Sequence, residues 1–221
     1  AVGRESVDIT VCTDSVIHVV TTPEGLPDTS PKPWMLPLAQ ACPGADFHYA
    51  EDKKHVTLAT AKLKVEFSLE RGNVIFEEAD GTSLLREGDA VPRTYQPEAV
   101  NGENLYHVTD RFSPDPMEAM YGLGQHQNGL FNYRGATVEL GQNNTDVAIP
   151  LLLSTKGYGI LWNTASLTYV DNRFPSLLSF RSVACWSMDY YVIYGPELDG
   201  ILHQYRTMTG HAPMLPKWAY G

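Results

Sequence analysis

Apolar residues in this chain recur mainly at every second position, the spacing of a strand with one face in water. From Val56 the alternation is clean: Leu63, Val65, Phe67 and Leu69 share one face, and Lys62, Lys64, Glu66 and Ser68 share the other. Arg71-Gly72-Asn73 then turns the chain into Val74-Ile75-Phe76, and Asp80-Gly81 turns it again before Leu84-Leu85. Upstream, Val7–Val11 and Val16–Val20 are β-branched runs separated by Thr13-Asp14-Ser15, as in an antiparallel pair. Between them and Val56, Thr21–Pro43 is rich in proline and predicts a loop or an interrupted edge strand.

Downstream of a polar stretch ending at Gly102, Leu105–Val108 and Ala119–Leu123 predict strands flanking Pro114 and Pro116. Ile149–Ser154 and Tyr158–Asn163 form the best hairpin candidate, joined through Thr155-Lys156-Gly157, and Tyr190–Tyr194 predicts a core strand. One helix follows: Pro196 and Glu197 open it, Ile201, Leu202, Tyr205 and Met208 line one face, and Gly210 closes it. Many short strands with Gly/Pro turns and a single late helix predict an all-β fold, a large β-sandwich whose two layers bury each other's apolar faces. Residues 1–195 are the expected sandwich domain. Residues 196–221 are the expected helix and linker, ending in a segment whose Pro213, Pro216 and Trp218 suit a crossing into another domain.

Composition narrows the function. At 221 residues and 43% hydrophobic the chain can bury a real core, and a formal charge of -10 offers no basic stripe for nucleic acid. A neutral or polyhydroxylated ligand suits it better. Cys12, Cys42 and Cys185 cannot all pair within the chain and have no metal-ligand spacing. They are expected to be buried thiols, with one disulfide left open, and no metal or cofactor is expected. No run approaches membrane-spanning length. The chain starts with Ala rather than Met, as either a processed terminus or a fragment boundary would. A bacterial periplasmic or secreted location is expected ahead of a cytoplasmic one. The Asn143-Asn144-Thr145 sequon matters only in a eukaryotic secretory pathway.

The densest chemistry is Tyr121–Gly135, YGLGQHQNGLFNYRG, a stretch without regular period that predicts a loop built around something polar. Its aromatics, including Tyr121 and Tyr133, and its amides have the chemistry of sugar contact, yet the same groups can simply satisfy a structural loop with Arg134 bridging carboxylates. His126 has no Ser, Cys or Asp partner at a recognisable spacing and is expected to be a hydrogen-bonding member rather than a base. The next polar concentration, Glu139–Asp146, precedes the hairpin and should stand at a sheet edge. Gln142, Asn143 and Asn144 could grip hydroxyls or form Asx-type turns. Nothing places Glu139 and Asp146 as a glycosidase pair. Asp189 and Asp199 are expected to be structural.

Tyr121–Gly135, AIPLLLSTKGYGILWN at Ala148–Asn163, DYYVIYGPELDGILHQYRTMTG at Asp189–Gly210 and APMLPKWAYG at Ala212–Gly221 together resemble the N-terminal part of glycoside hydrolase family 31, in particular its bacterial α-xylosidases. The first hundred residues match only loosely. The resemblance implies a galactose-mutarotase-like supersandwich ahead of a (β/α)8 barrel that is not in this chain. It also implies a retaining, exo-acting α-glycosidase whose two catalytic Asp residues lie in that barrel, so no catalytic residue is expected here. The partners it implies are an oligosaccharide and the protein's own barrel, with a homo-oligomer left open. α-Glucosidase relatives carry a WNRD-like motif whose Asp touches substrate. The matching stretch here is Glu139-Leu140-Gly141-Gln142, so Gln142, Asn143 and Asn144 become the implied substrate contacts, while Tyr121, His126, Tyr133 and Arg134 become supporting loop residues. That departure leans from α-glucosidase towards α-xylosidase. α-Galactosidase and a stand-alone carbohydrate-binding sandwich stay open as alternatives.

Overall fold

The computed structural model describes residues 5–23, 36 and 38–220, and among these sixteen strands form three antiparallel sheets. The six-stranded sheet runs in the order β1 (Glu5–Thr13), β2 (Val16–Pro23), β16 (Met188–Tyr194), β13 (Tyr158–Trp162), β12 (Val147–Ser154) and β10 (Met120–Gln125). The meander sheet runs in chain order, β3 (His48–Glu51), β4 (His55–Ala59), β5 (Leu63–Ser68), β6 (Val74–Glu78) and β7 (Ser83–Arg86). The third, here the front sheet, runs β11 (Thr137–Leu140), β14 (Thr168–Phe174), β15 (Leu177–Cys185), β9 (Glu103–Phe112) and β8 (Arg93–Val100). Two helices, α1 (Leu38–Ala41) and α2 (Leu198–Thr209), and a 3-10 turn at Lys217–Tyr220 complete the described structure.

The apolar runs at residues 151–153 of β12, 158–162 of β13 and 190–193 of β16 follow from burial on both faces. Leu152, Ile160, Trp162, Tyr190 and Val192 point into a core shared with Val65 and Phe76 of the meander sheet and Val170 and Phe180 of the front sheet. Their neighbours Leu151, Leu153, Leu161, Tyr191 and Ile193 point the other way, against Ile201 and Met208 of α2. Fully burying a side chain of the Ile or Met class contributes about 1.5–3 kcal/mol, so the helix is held mainly by these two anchors. Leu202 is not on that face: it is exposed, because it lies 100° round the helix from Ile201. Tyr205 packs against the cluster as expected.

Several sequence expectations are corrected by the structure. Cys12 and Cys42 form a disulfide and are not free thiols, while Cys185 is free and buried. Tyr121–Gly135 is not a loop throughout, since it begins in β10 and becomes irregular only after Gln125. Five further strands, β3, β8, β11, β14 and β15, occupy segments that are too short or too polar to show the alternation. Most of Thr21–Pro43 lies outside the described residues. The sandwich with one late multi-turn helix stands as read, with no barrel closed among the described residues.

One interior feature is ionic. The Arg93 side chain is wholly buried; it donates to Glu87, to Glu5 (Nη2 to Oε1 2.8 Å, Nε to Oε2 3.1 Å) and to the Gly72 carbonyl. Glu87 also accepts from the Val74 N–H at 2.7 Å and the Tyr190 hydroxyl at 2.7 Å. Burial opposes the charge of Arg93, but Glu87, Glu5 and Asp110 outweigh it and raise its pKa further. Asp110 is fully buried with Oδ2 unpartnered; burial, then Glu87, push its carboxyl well above the usual range. The cluster ties β1, β6, β8, β9 and β16 together inside the core.

Candidate functional site

The polar loops gather where the edges of two sheets meet. In β10 the register with β12 slips between Gly122 and Gly124, and Gly122, Leu123 and Gly124 all have positive φ (94°, 61° and 101°). A Cβ at Gly124 would lie 1.9 Å from the Val147 carbonyl oxygen, so only glycine lets the strands approach here. The bulge buries the Leu123 side chain completely and sets its carbonyl to meet His126 Nε2 at 2.9 Å. Because a carbonyl can only accept, Nε2 carries the proton, leaving Nδ1 towards Asp146 Oδ1 at 3.9 Å.

Asp146 joins the two loops, since its Oδ1 also accepts from the Gln127 N–H at 3.3 Å. Around this junction lies a polar depression of about 420 Å³, bounded by His126, Gln127 and Asn128 on one side and Asn143, Thr145 and Asp146 on the other. Thr137 and Glu139 of β11 form its floor edge. Thr145 has φ 77°, an unfavourable conformation for a β-branched residue and the kind of strain that collects at working sites.

The three expected substrate contacts separate in the structure. Gln142 spends both ends of its amide on the loop, donating to the Asp146 carbonyl and accepting from the Ala148 N–H, each at 3.2 Å. Asn143 lines the depression, and Asn144 is exposed beside it without lining it. Of the supporting residues, Tyr133 is buried in the core and meets His126 edge-on at 6.4 Å. Tyr121 packs against Phe131 at 5.0 Å, and Phe131 is itself exposed. Arg134 is exposed; its backbone N–H is held by Asn132 Oδ1, and it forms no salt bridge among the described residues. Asp189 accepts from or pairs with His18 at 2.8 Å, a structural role. Sequence reasoning passed over Thr137 and Thr145 as site residues, for neither carries a local signal.

The site can hold hydroxyls through amides, two threonines (Thr137 and Thr145) and two carboxylates (Glu139 and Asp146). No group of three or more His, Cys, Asp or Glu among the described residues could hold a metal ion. No helix among them is long and apolar enough to cross a membrane.

Residues 6–171 match the model of the glycosyl hydrolase 31 N-terminal galactose mutarotase-like domain. Over 176 residues the chain is 38% identical to an α-xylosidase of Saccharolobus solfataricus, covering 74% of this chain and 24% of that protein. It is 28% identical over 235 aligned positions to an isomaltosyltransferase of Sporosarcina globispora, covering 99% of this chain and 20% of that one. The crystal structure of a GH31 α-xylosidase from Xanthomonas citri superposes with a TM-score of 0.87 at 22% identity, over 99% of this chain and 40% of the other, a likeness of fold. The chain thus spans between a fifth and a quarter of the length of these two sequence relatives.

Proposed function

The chain belongs to glycosyl hydrolase family 31, and from that premise we propose that it is the N-terminal sandwich of an exo-acting α-xylosidase. In this reading the whole protein removes non-reducing α-xylosyl residues from xyloglucan oligosaccharides with retention of configuration. Its nucleophile and acid/base are carboxylates outside this chain. The observation that carries the reading is the 38% identity to an α-xylosidase across three quarters of the chain.

The sandwich then contributes one wall of the substrate entrance. Asn143 and Thr145 face the sugar, Asn144 reaches it from the exposed tip, and Gln142 holds their loop in shape. The protein's own barrel is its principal partner. A periplasmic or extracellular location belongs to the same proposal and is supported by the Cys12–Cys42 disulfide, since such bonds persist in oxidising compartments.

The test is hydrolysis by the whole protein carrying this chain, on α-xylosyl, α-glucosyl and α-galactosyl oligosaccharides, with the released anomer followed by NMR. Preferred release of α-xylose is expected. Preferred cleavage or transfer of α-glucosyl units would move the protein towards the isomaltosyltransferase-like branch, and inactivity on every α-glycoside would refute the enzyme reading. Asn143→Ala should raise KM about tenfold with kcat little changed, as loss of one hydrogen-bonded contact to substrate predicts.

A further inference from the structure

We propose that the outward face of the front sheet holds an accessory binding site for a carboxylate-bearing sugar, a hexuronate unit, with Arg181 as its anchor. The proposal does not rest on the α-xylosidase reading. A depression of about 360 Å³ lies on this face, within the range of small-ligand sites. It is built from two neighbouring rows of the sheet. One row places Tyr169, Arg181 and Thr109 side by side on β14, β15 and β9; the next places Thr137, Asp171 and Ser179 on β11, β14 and β15.

Charge on this face is unbalanced. Arg173 is fully engaged with Asp171, through contacts of 2.6, 3.0 and 3.1 Å. Arg181 is held by the face of Tyr169, its Cζ 4.7 Å from the ring centroid, and no carboxylate among the described residues pairs with it. Such stacking fixes a guanidinium by its plane while leaving its N–H edge for an incoming acceptor. Arg111, opposite Ser179 in the second row, adds another cation, and its Nη1 is shut from solvent without a hydrogen-bond partner. Glu139 stands opposite Tyr169 in the first row, so the face carries Arg111, Arg173 and Arg181 against Asp171 and Glu139, an excess of one cation on a protein whose overall formal charge is -10.

The neighbouring groups select a sugar over a bare anion. Thr109 and Ser179 each present a hydroxyl that both donates and accepts, and Thr137, whose hydroxyl donates to Asp171 Oδ1 at 3.3 Å, adds an acceptor, the match for a ring carrying several hydroxyls. Thr137 also lines the depression beside Asn143, so the two sites are contiguous and a branched oligosaccharide can reach both.

The experiment is calorimetric titration of the whole protein carrying this chain with D-glucuronate, D-glucose and inorganic phosphate. Glucuronate and glucose differ only in the carboxylate at C6. Glucuronate should bind about tenfold more tightly than glucose, the value of one charge-assisted contact. Arg181→Ala should abolish that preference while leaving glucose binding and the circular dichroism spectrum unchanged, and Arg181→Lys should keep only part of it. Equal affinity for glucuronate and glucose, or a preference that survives Arg181→Ala, overturns the proposal. Phosphate binding as tightly as glucuronate overturns it too, leaving a simple anion site.

Discussion

Replacing Arg93 with Met tests how the ionic core is held together. Methionine keeps most of the aliphatic bulk, so the loss is electrostatic rather than a cavity. Four contacts disappear, to Glu87, to both oxygens of Glu5 and to the Gly72 carbonyl. Glu5 is 15% exposed and can recover water, whereas Glu87 is 0% exposed and cannot. The expected cost is therefore that of breaking one buried pair, about 3–5 kcal/mol. For a chain of this size it lowers Tm by about 6–20 °C. Urea unfolding followed by the fluorescence of buried Trp162 measures it directly. A second substitution, Glu87→Gln, removes the stranded charge while its one amide oxygen still accepts from the Val74 N–H and its NH2 can donate to the Tyr190 hydroxyl oxygen, so the double variant should regain about half the loss. A loss below about 1 kcal/mol for Arg93→Met, or no recovery in the double variant, would refute this account of the core. Asp110 supplies the pH dependence. Its folded pKa is raised, so the folded state binds the extra proton and this group's contribution is full below the unfolded carboxyl value. It is lost as pH rises towards the folded pKa. Asp110→Asn should be neutral at low pH and increasingly stabilising, relative to the parent, as pH rises.

Two further substitutions test the site's scaffold and the Cys12–Cys42 crosslink. Gly124→Ala places a methyl 1.9 Å from the Val147 oxygen at φ 101°, so it should cost about 2–4 kcal/mol and raise KM by displacing His126, measured by urea unfolding and substrate titration; unchanged stability would show that the bulge does not need glycine. Cys42→Ser opens a crosslink of sequence separation 30, worth about 3–4 kcal/mol by loop entropy, and the same loss should appear in the parent under reductant but not in the variant. Equal reductant sensitivity of both proteins would place the effect elsewhere.

What was legible in the sequence followed from how simple each burial pattern is. The β12–β13 hairpin and β16 announced themselves because residues 151–153, 158–162 and 190–193 are apolar or aromatic and buried on both faces. β8 did not, because it is an edge strand with most side chains in water, a Pro97 within it and an arginine turned inward. In β14 and β15 the inward positions include Thr168, Asn172 and Ser182. Thr168 and Ser182 satisfy each other at 2.6 Å, and Asn172 donates to the Leu177 carbonyl. A polar pair hidden in a core inverts the alternation that sequence reasoning depends on. The disulfide was illegible for another reason: three cysteines allow three single pairings, and only the approach of Cys12 to Cys42 chooses among them.

The site was legible as composition and illegible as division of labour. Gln142, Asn143 and Asn144 are chemically near-equivalent in sequence, yet distances give one the bracing role, one the pocket wall and one the exposed tip. The separation arises because the Gln142 amide reaches across the turn to the Asp146 carbonyl and the Ala148 N–H, closing the loop onto the start of β12. Asp146 then fixes this turn to the segment after β10, while Thr137 and Glu139 belong to the other sheet. The depression therefore straddles two sheets whose strands share one core, so its walls are positioned by packing at a distance. Under the proposed function, changes confined to positions 143 and 145 should alter what the pocket can grip while leaving Gln142, Asp146 and the core untouched.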